Sequence, residues 1–364
     1  MTRVEGRGAG LTRFRIDTGL SGLPDLEPAA FDPSAGAAGS RARLLSVETD
    51  GRWRRRYVAA EPAASGATGL AALLPVYWPA GRSWPDPAYD PAGWPIPGLS
   101  PAEVTPDRCL LVGGVYDRRT ALHLPGDGTL ARDGLREVAR IAVESGRCLV
   151  FPFVYARARR ILDAATGGRV RWGVLEHEAC FRDVLRTDGT RARVRGVLRR
   201  DRRIIERAAT TASVVPWQDA SPRTAGLIAE HNLRMGQFDD PEFVRMRYTQ
   251  WADCAGVRVI VFDARAGSRH GVLTALVWRD SLELHEIGLP PSGDPARLAL
   301  YLDLIFHRPH AYAREHGLNT IRAGTAARTP KASRGAAFEP LHGGVLDPES
   351  TKWLAHGPDP RSTE

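Results

Sequence analysis

At 364 residues the chain has room for two domains or one large one, and its 43% apolar content excludes an extended disordered protein. Lysine and arginine number 50 against 42 aspartate and glutamate, a formal charge of +8 that admits an anionic partner through long-range attraction. Only Lys331 and Lys352 are lysines, and alanine and glycine abound. The arginine excess therefore reads first as a high-GC coding bias and is weak evidence for nucleic acid.

Cys109, Cys148, Cys180 and Cys254 are far apart in sequence with no CxxC pair, the pattern of reduced cysteines in a cytoplasmic protein. Arg3, Arg7, Arg13 and Arg15 are not followed by an apolar run, so no signal peptide is expected. No window of uninterrupted apolar residues is long enough to predict a membrane span.

Residues 1–40, rich in Gly, Ala, Ser and Pro, are expected to form a partly flexible segment. Arg41–Ser46 and Trp53–Ala59 read as strands. GLAALLPVYW (Gly69–Trp78) reads as a stronger one, with Pro75 placing it at an edge or break. From Trp78 to Gly98, Trp78, Trp84, Tyr89 and Trp94 are interleaved with six prolines and three glycines, which excludes a helix or central strand. Such a rigid loop either covers a core edge or lines a ligand site, with Trp84 and Trp94 as substrate-binding candidates. Cys109–Tyr116 is a predicted strand, Ala131–Ser145 an amphipathic helix, and Cys148–Val154 a strand that Pro152 places at an edge or bulge. Ala156–Ala164 reads as a short helix and Val170–Leu175 as a strand, an alternation that indicates an α/β or α+β unit.

Phe181–Ala209 is the most basic stretch, with eight arginines between Thr190 and Arg207. In a helix, Arg195, Arg199 and Arg203 share one face, where guanidinium forks suit successive phosphates. The competing reading is a solvated connecting helix. Beyond it, Val214–Pro222 restarts the pattern, followed by helices at Ala225–Met235 and Pro241–Asp253. Three strands joined by short turns follow: Arg258–Ala264, Val272–Trp278 and Leu282–Leu289. A helix over Pro295–His316 is predicted to kink at Pro309 and to stop at Gly317. A strand at Leu318–Arg322 leads into a basic loop carrying Lys331, Arg334 and Gly335. The expected organisation is two similar lobes, 41–190 and 214–345, with a basic connecting helix at 191–213 and a tail at 346–364.

The run from Arg258 to Leu289, the segment ALYLDLIFHRPHAYAREHGLNTIRAGTAARTPKASRG and Phe338 together resemble a GNAT-type acyltransferase lobe. More narrowly, the chain is similar to the double-lobed Fem-like transferases and their relatives in peptidoglycan and natural-product (including antibiotic) biosynthesis. The resemblance implies an α/β (α+β) fold of two tandem GNAT-like lobes with mixed, mostly antiparallel sheets. It implies an aminoacyltransferase that takes an amino acid from aminoacyl-tRNA to an amine, hydroxylamine or hydroxyl of a small-molecule or cell-wall-precursor acceptor. No cofactor is expected beyond aminoacyl-tRNA as co-substrate. The alternatives are an acyl-CoA-dependent N-acyltransferase and a non-catalytic RNA-binding protein; monomer and homodimer stay open. Where acetyl-CoA enzymes place a glycine-rich anion loop, this chain has GLPPSGDPARL. Its prolines lack N–H groups and Asp294 adds negative charge, which speaks against CoA there.

Direct attack on an activated ester needs alignment, a proton acceptor and oxyanion stabilisation more than a covalent nucleophile. Lys331 is the candidate for the tRNA terminal phosphate or ester carbonyl, with Arg334 and Gly335 beside it. Glu286 is the candidate proton acceptor, and Glu176, His177 and Glu178 form a second polar cluster. On a regular strand His285 and Glu286 point to opposite faces, so only one is expected to face a cleft. Tyr301 and Tyr312 are candidate donors to substrate. His307, His310 and His316 lack the carboxylate or cysteine spacing of a metal site, and none is expected.

Overall fold

The computed structural model describes residues 13–25, 33–61, 69–124, 128–186 and 192–357. In chain order the elements are β1 (Arg13–Asp17), α1 (Arg41–Ser46), β2 (Trp53–Glu61), β3 (Ala72–Pro79), β4 (Cys109–Val112), α2 (Gly128–Glu144), β5 (Cys148–Tyr155), α3 (Ala156–Thr166) and β6 (Arg171–Phe181). Then come α4 (Ala192–Arg207), β7 (Thr211–Pro216), α5 (Arg223–Arg234), α6 (Pro241–Ala252), β8 (Val257–Ala266), β9 (Arg269–Trp278) and β10 (Ser281–Gly288). The chain ends with α7 (Arg297–Leu302), α8 (Arg308–Glu315), β11 (Thr320–Arg322), α9 (Arg328–Ala332), β12 (Ala337–Leu346) and α10 (Pro348–His356).

These elements form two compact units, one of Met1–His177 with Pro340–Glu364 and the other of Glu178–Glu339. The boundaries differ from those expected. Helix α4 does not stand between lobes: it belongs to the second unit, where Ile205 enters the core. Residues 346–357 are not a tail: α10, capped by the Asp347 side chain on Ser350 N–H, packs Leu354 and Ala355 into the first unit's core. Of the expected flexible segment, residues 1–12 and 26–32 lie outside the described residues. Arg13–Asp17 pairs with β2, and Leu20 and Leu23 are buried.

In the first unit β1, β2, β3 and β4 are successive antiparallel neighbours, β4 and β5 are parallel, and β5 pairs antiparallel with β12. The parallel pair is joined by α2, as a parallel crossover requires. The second unit repeats the pattern. Here β7, β8, β9 and β10 run antiparallel, β10 and β11 are parallel with α7–α8 between them, and β11 pairs antiparallel with the end of β6. Two similar lobes with mixed, mostly antiparallel sheets are therefore present.

The first unit's core has two faces. Leu135, Val138, Leu149, Phe151, Leu162 and Leu354 fill the space under α2, α3 and α10. On the other face Tyr77, Val150 and Phe153 are buried together with Tyr89 and Ile96 of the Trp/Pro-rich loop. That loop is ordered by its repeated Asp-Pro-Ala: Asp86 and Asp90 accept the Ala88 and Ala92 N–H groups (both 2.9 Å) and start two short 3-10 turns. In the second unit Phe262, Leu273, Leu300, Leu304, Phe306 and Ile321 form the core.

Local expectations fare unevenly. Arg41–Ser46 is a helix rather than a strand, because Ser40 caps it by accepting the Arg43 N–H (3.2 Å). Pro75 lies inside the sheet, its carbonyl accepting the Gly113 N–H; the Gly113 carbonyl that its missing N–H would have served accepts the Ala121 N–H instead, so no acceptor is left bare. Pro152 does sit in a bulge: the β5–β12 register slips between His342 and Gly344. The predicted long helix has its irregularity one turn before Pro309, as a π-turn over Asp303–His307. Buried Asp303 is held there by Arg308 Nε at 3.1 Å. Gly317 takes the left-handed conformation at φ 68° that ends α8.

Helix α5 lies close on β10 because Gly288 has no side chain: a Cβ there would stand 2.7 Å from the Leu227 carbonyl carbon. Gly288→Ala is expected to destabilise by ~1–3 kcal/mol through overpacking. Gly226→Ala, in α5 with nothing within 4 Å of its Cβ, should be neutral or stabilising by about 0.5–1 kcal/mol. Denaturant unfolding of the two variants checks the contrast.

Candidate active site

Strands β10 and β11 pair over only Ser281–Glu283 and Thr320–Arg322, while β10 continues to Gly288. Just past that pairing, the β9–β10 register slips between Leu284 and Ile287, so His285 and Glu286 together oppose Thr274. The Thr274 hydroxyl fills the bulge. It accepts the Glu286 N–H (3.1 Å), meets the Glu286 carbonyl (3.1 Å), and lies 2.6 Å from the Tyr248 hydroxyl. A bulge breaks the two-residue alternation of a strand. His285 and Glu286 accordingly both meet α6, His285 against the Tyr248 and Trp251 rings (6.3 and 5.7 Å) and Glu286 against Arg247. The expectation that they point apart is corrected.

Around Glu286 the chain builds a charged network. Arg247 lies 3.1 Å from Glu286 Oε1 and 2.8 Å from Asp239 Oδ2, and Asn232 Nδ2 donates to both carboxylates at 3.4 and 2.8 Å. Glu286 Oε2 is buried and has no hydrogen-bond partner among the described residues. Burial holds the Tyr248 phenol well above its ordinary pKa, with Glu286 adding to the shift, so it stays protonated beside that carboxylate. Arg247, Asp239, Asn232, Tyr248 and Thr274 were not among the sequence candidates. The Asp-Asp-Pro at the start of α6 was the available signal, since Asp240 caps α6 and Asp239 turns inward.

Lys331 is buried rather than displayed. Its ammonium donates to the carbonyls of Ala323 and Gly324, the residues that follow β11. Burial pulls its pKa from 10.5 to about 8, against the pull of Glu178. Glu178 itself pairs with Arg322 at 2.7 Å, both buried. Arg334 is not a free partner for substrate: its fork is closed on Asp201 of α4 (2.6 and 2.8 Å) and its plane lies 4.4 Å from the Phe306 ring centroid. Tyr312 is buried, stacked on His316 at 3.9 Å, so it is core rather than a substrate contact. Tyr301 is half-buried against Phe306 at 5.7 Å. Gly335 adopts φ 92°, where its bare Cα turns the chain past Val194 of α4.

Arg195, Arg199 and Arg203 are exposed on α4. Arg199 and Arg203, with Arg202 and Glu206, line a surface depression of ≈380 Å³. Among the described residues none of Arg199, Arg202 and Arg203 has an ion-pair partner, whereas Arg195 makes contacts of its own. Thr187–Arg191 lie outside the described residues. His307 lies 3.9 Å from Asp201 and His310 meets Phe181 edge to face (4.7 Å), with burial pushing His310 down to about 4. No group of three metal-ligating side chains is present among the described residues. Likewise, no described helix is long and apolar enough to cross a membrane.

In the first unit Trp94 donates its indole N–H to Ala88 O (3.1 Å) and lines a cavity, while Trp84 packs against the core. Cys109 and Cys148, distant in sequence, are register partners with sulfurs 3.7 Å apart; all four cysteines are buried and unbridged.

The Lys331 shift has a measurable consequence. The folded state releases this proton before the unfolded chain does, so between pH 8 and 10.5 the unfolded chain binds more protons and stability rises with pH. Relative to Lys331→Met, the protein should gain on the order of 3 kcal/mol across that window. Unfolding by denaturant at stepped pH checks it.

A scan against protein-family models and a search of curated proteins found no match. Among solved structures, FemX is similar with a TM-score of 0.56 at 10% identity, over 91% of this chain and 96% of FemX. A conserved protein of unknown function from Bacteroides thetaiotaomicron VPI-5482 gives 0.54 at 10% identity, over 88% and 95%. At such identities the likeness shows the fold alone, and that fold is the one FemX has.

Proposed function

We propose that the protein is an aminoacyltransferase that moves an amino acid from aminoacyl-tRNA onto an amine, hydroxylamine or hydroxyl acceptor. The observation that carries the proposal is the β10 bulge, which leaves one Glu286 oxygen buried and unpartnered while Arg247 and Asn232 hold the other. In the reaction the acceptor nitrogen attacks the ester carbonyl and its proton passes to Glu286 Oε2. The bond to the terminal ribose oxygen then breaks, and that oxygen leaves as the hydroxyl after taking a proton. Protonated Tyr248 sits beside Glu286 as a neutral polar wall. Lys331 acts at one remove, fixing the turn at Ala323–Gly324, rather than touching the tRNA.

Two further features support tRNA over acyl-CoA as donor. In the loop before α7 the Asp294 N–H donates to Pro291 O (3.3 Å), Ala296 N–H to the Asp294 carboxylate (2.9 Å) and Arg297 N–H to the Asp294 carbonyl (3.1 Å), which leaves only the Ser292 and Gly293 amides beside an acidic side chain. The Asp294 carboxylate pairs with Arg269 (2.7 Å), and the Arg297 side chain is tied to Pro290 O. Little is left there to cradle a pyrophosphate. The arginines of α4, by contrast, face outward in a depression. The acceptor belongs to the small-molecule or cell-wall-precursor class.

Transfer is expected with tRNA, its synthetase and an amino acid, to vanish on RNase treatment, and to be absent with acyl-CoA. RNase-resistant transfer from acyl-CoA would overturn the reading. Reversing Arg199 and Arg203 to Glu should weaken tRNA binding and flatten its log–log salt dependence by about one unit per lost phosphate contact. An unchanged slope would mark α4 as merely solvated.

A further inference from the structure

The first unit carries a second built site that the transfer reaction does not use. It lies where the parallel strands β4 and β5 run out, the place where open sheets most often take ligands. The β5–β12 slip there sets Pro152 and Phe153 against Gly343, and Phe153 adopts φ 50°. Trp94 covers Gly343 so closely that a Cβ on that glycine would stand 2.5 Å from its ring. Gly173 similarly admits the Pro95 carbonyl, which would lie 2.4 Å from a Cβ. The result is a cavity of ≈260 Å³ walled by the Trp94 and Phe153 rings and by Leu175.

Its polar end is held with equal care. Asp117 and Arg118 both take positive φ (60° and 49°), which costs energy for residues with side chains. The Arg43 fork grips Asp117 at 2.9 Å on both oxygens, and the buried Tyr89 hydroxyl accepts the Arg118 N–H at 3.0 Å. Arg118 then reaches Glu176 Oε1 at 3.1 Å. Glu176 lines the cavity, and its Oε2 is buried with no hydrogen-bond partner among the described residues. Asp90 also lines the cavity, so its lining holds two acidic residues and one arginine. A carboxylate oxygen lacking a donor, next to an indole face and a phenyl ring, suits a protonated amine on an apolar body.

We infer that this cavity is a binding site for a small ligand bearing a primary ammonium group, the ammonium on Glu176 Oε2 and its apolar portion between Trp94 and Phe153. The size fits a fragment-sized molecule or one end of a larger one. The site is independent of the tRNA reading, since neither Glu176 nor Trp94 takes part in it.

The test uses the full chain and two probes of equal shape, 2-phenylethylamine and neutral 2-phenylethanol, titrated at pH 7 by ligand-observed NMR and calorimetry. Saturable binding of the amine is expected, roughly tenfold or more tighter than the alcohol, as a charge-assisted hydrogen bond implies. Glu176→Gln should abolish that preference, and Trp94→Leu should weaken both probes. Arg118→Gln should tighten the amine, because it frees the second carboxylate oxygen and removes a like charge, an effect that a purely structural role for Glu176 does not give. No binding of the amine, equal binding of both probes, or an unaltered preference in Glu176→Gln would overturn the inference.

Discussion

The hydroxyl of Thr274 inside the β10 bulge is the contact on which the proposed site in the second unit depends. It replaces the ladder partner that the extra residue in β10 would otherwise lack, accepting the Glu286 N–H and meeting its carbonyl. Without that substitute a buried backbone amide would be orphaned, at a cost of ~1–3 kcal/mol. With it, two consecutive side chains turn toward α6 instead of one. Arg247, Asn232 and Asp239 then have a carboxylate to gather around, and the network leaves a single oxygen of Glu286 unclaimed.

The same unit is stiffened by buried charge. Asp201 of α4 and Arg334 form a two-bonded pair over the Phe306 ring, and Glu178 and Arg322 form another at the end of β11. Removing one partner of such a pair strands the other, at ~3–5 kcal/mol. These pairs therefore fix where α4 lies, and they explain why the inward Asp201 interrupts an otherwise basic helix whose outward arginines stay in solvent. The π-turn at Asp303–His307 serves the same end, bringing His307 and Phe306 to Asp201 and Arg334 ahead of Pro309.

The sequence carried much of this architecture and little of its site. Alternating apolar runs, the basic helix and the stop at Gly317 are local signals, and local spacing suffices to read them. Pro152 also announced its bulge, because a proline cannot donate to a central ladder. The bulge at His285–Glu286 has no such marker: it needs Thr274 on the neighbouring strand, and a regular strand was the natural expectation. Arg334 looked available because its partner, Asp201, is 133 residues away. Lys331 looked exposed because a basic loop usually is; only the fold brings the Ala323 and Gly324 carbonyls over its ammonium. Tyr312 was ambiguous for the ordinary reason that a helical tyrosine packs as readily as it binds. Ser40 turned a predicted strand into a helix through one capping bond.

The unclaimed oxygen of Glu286 is the centre of the account, and a single-turnover experiment addresses it most directly. Pre-formed aminoacyl-tRNA is mixed with excess protein and acceptor, and transfer is followed for wild type and Glu286→Gln, with tRNA binding and unfolding midpoint measured alongside. If Glu286 takes the acceptor's proton, the rate constant falls by ~10²-fold or more while tRNA affinity and stability hold. A glutamine variant that transfers at the wild-type rate would contradict it.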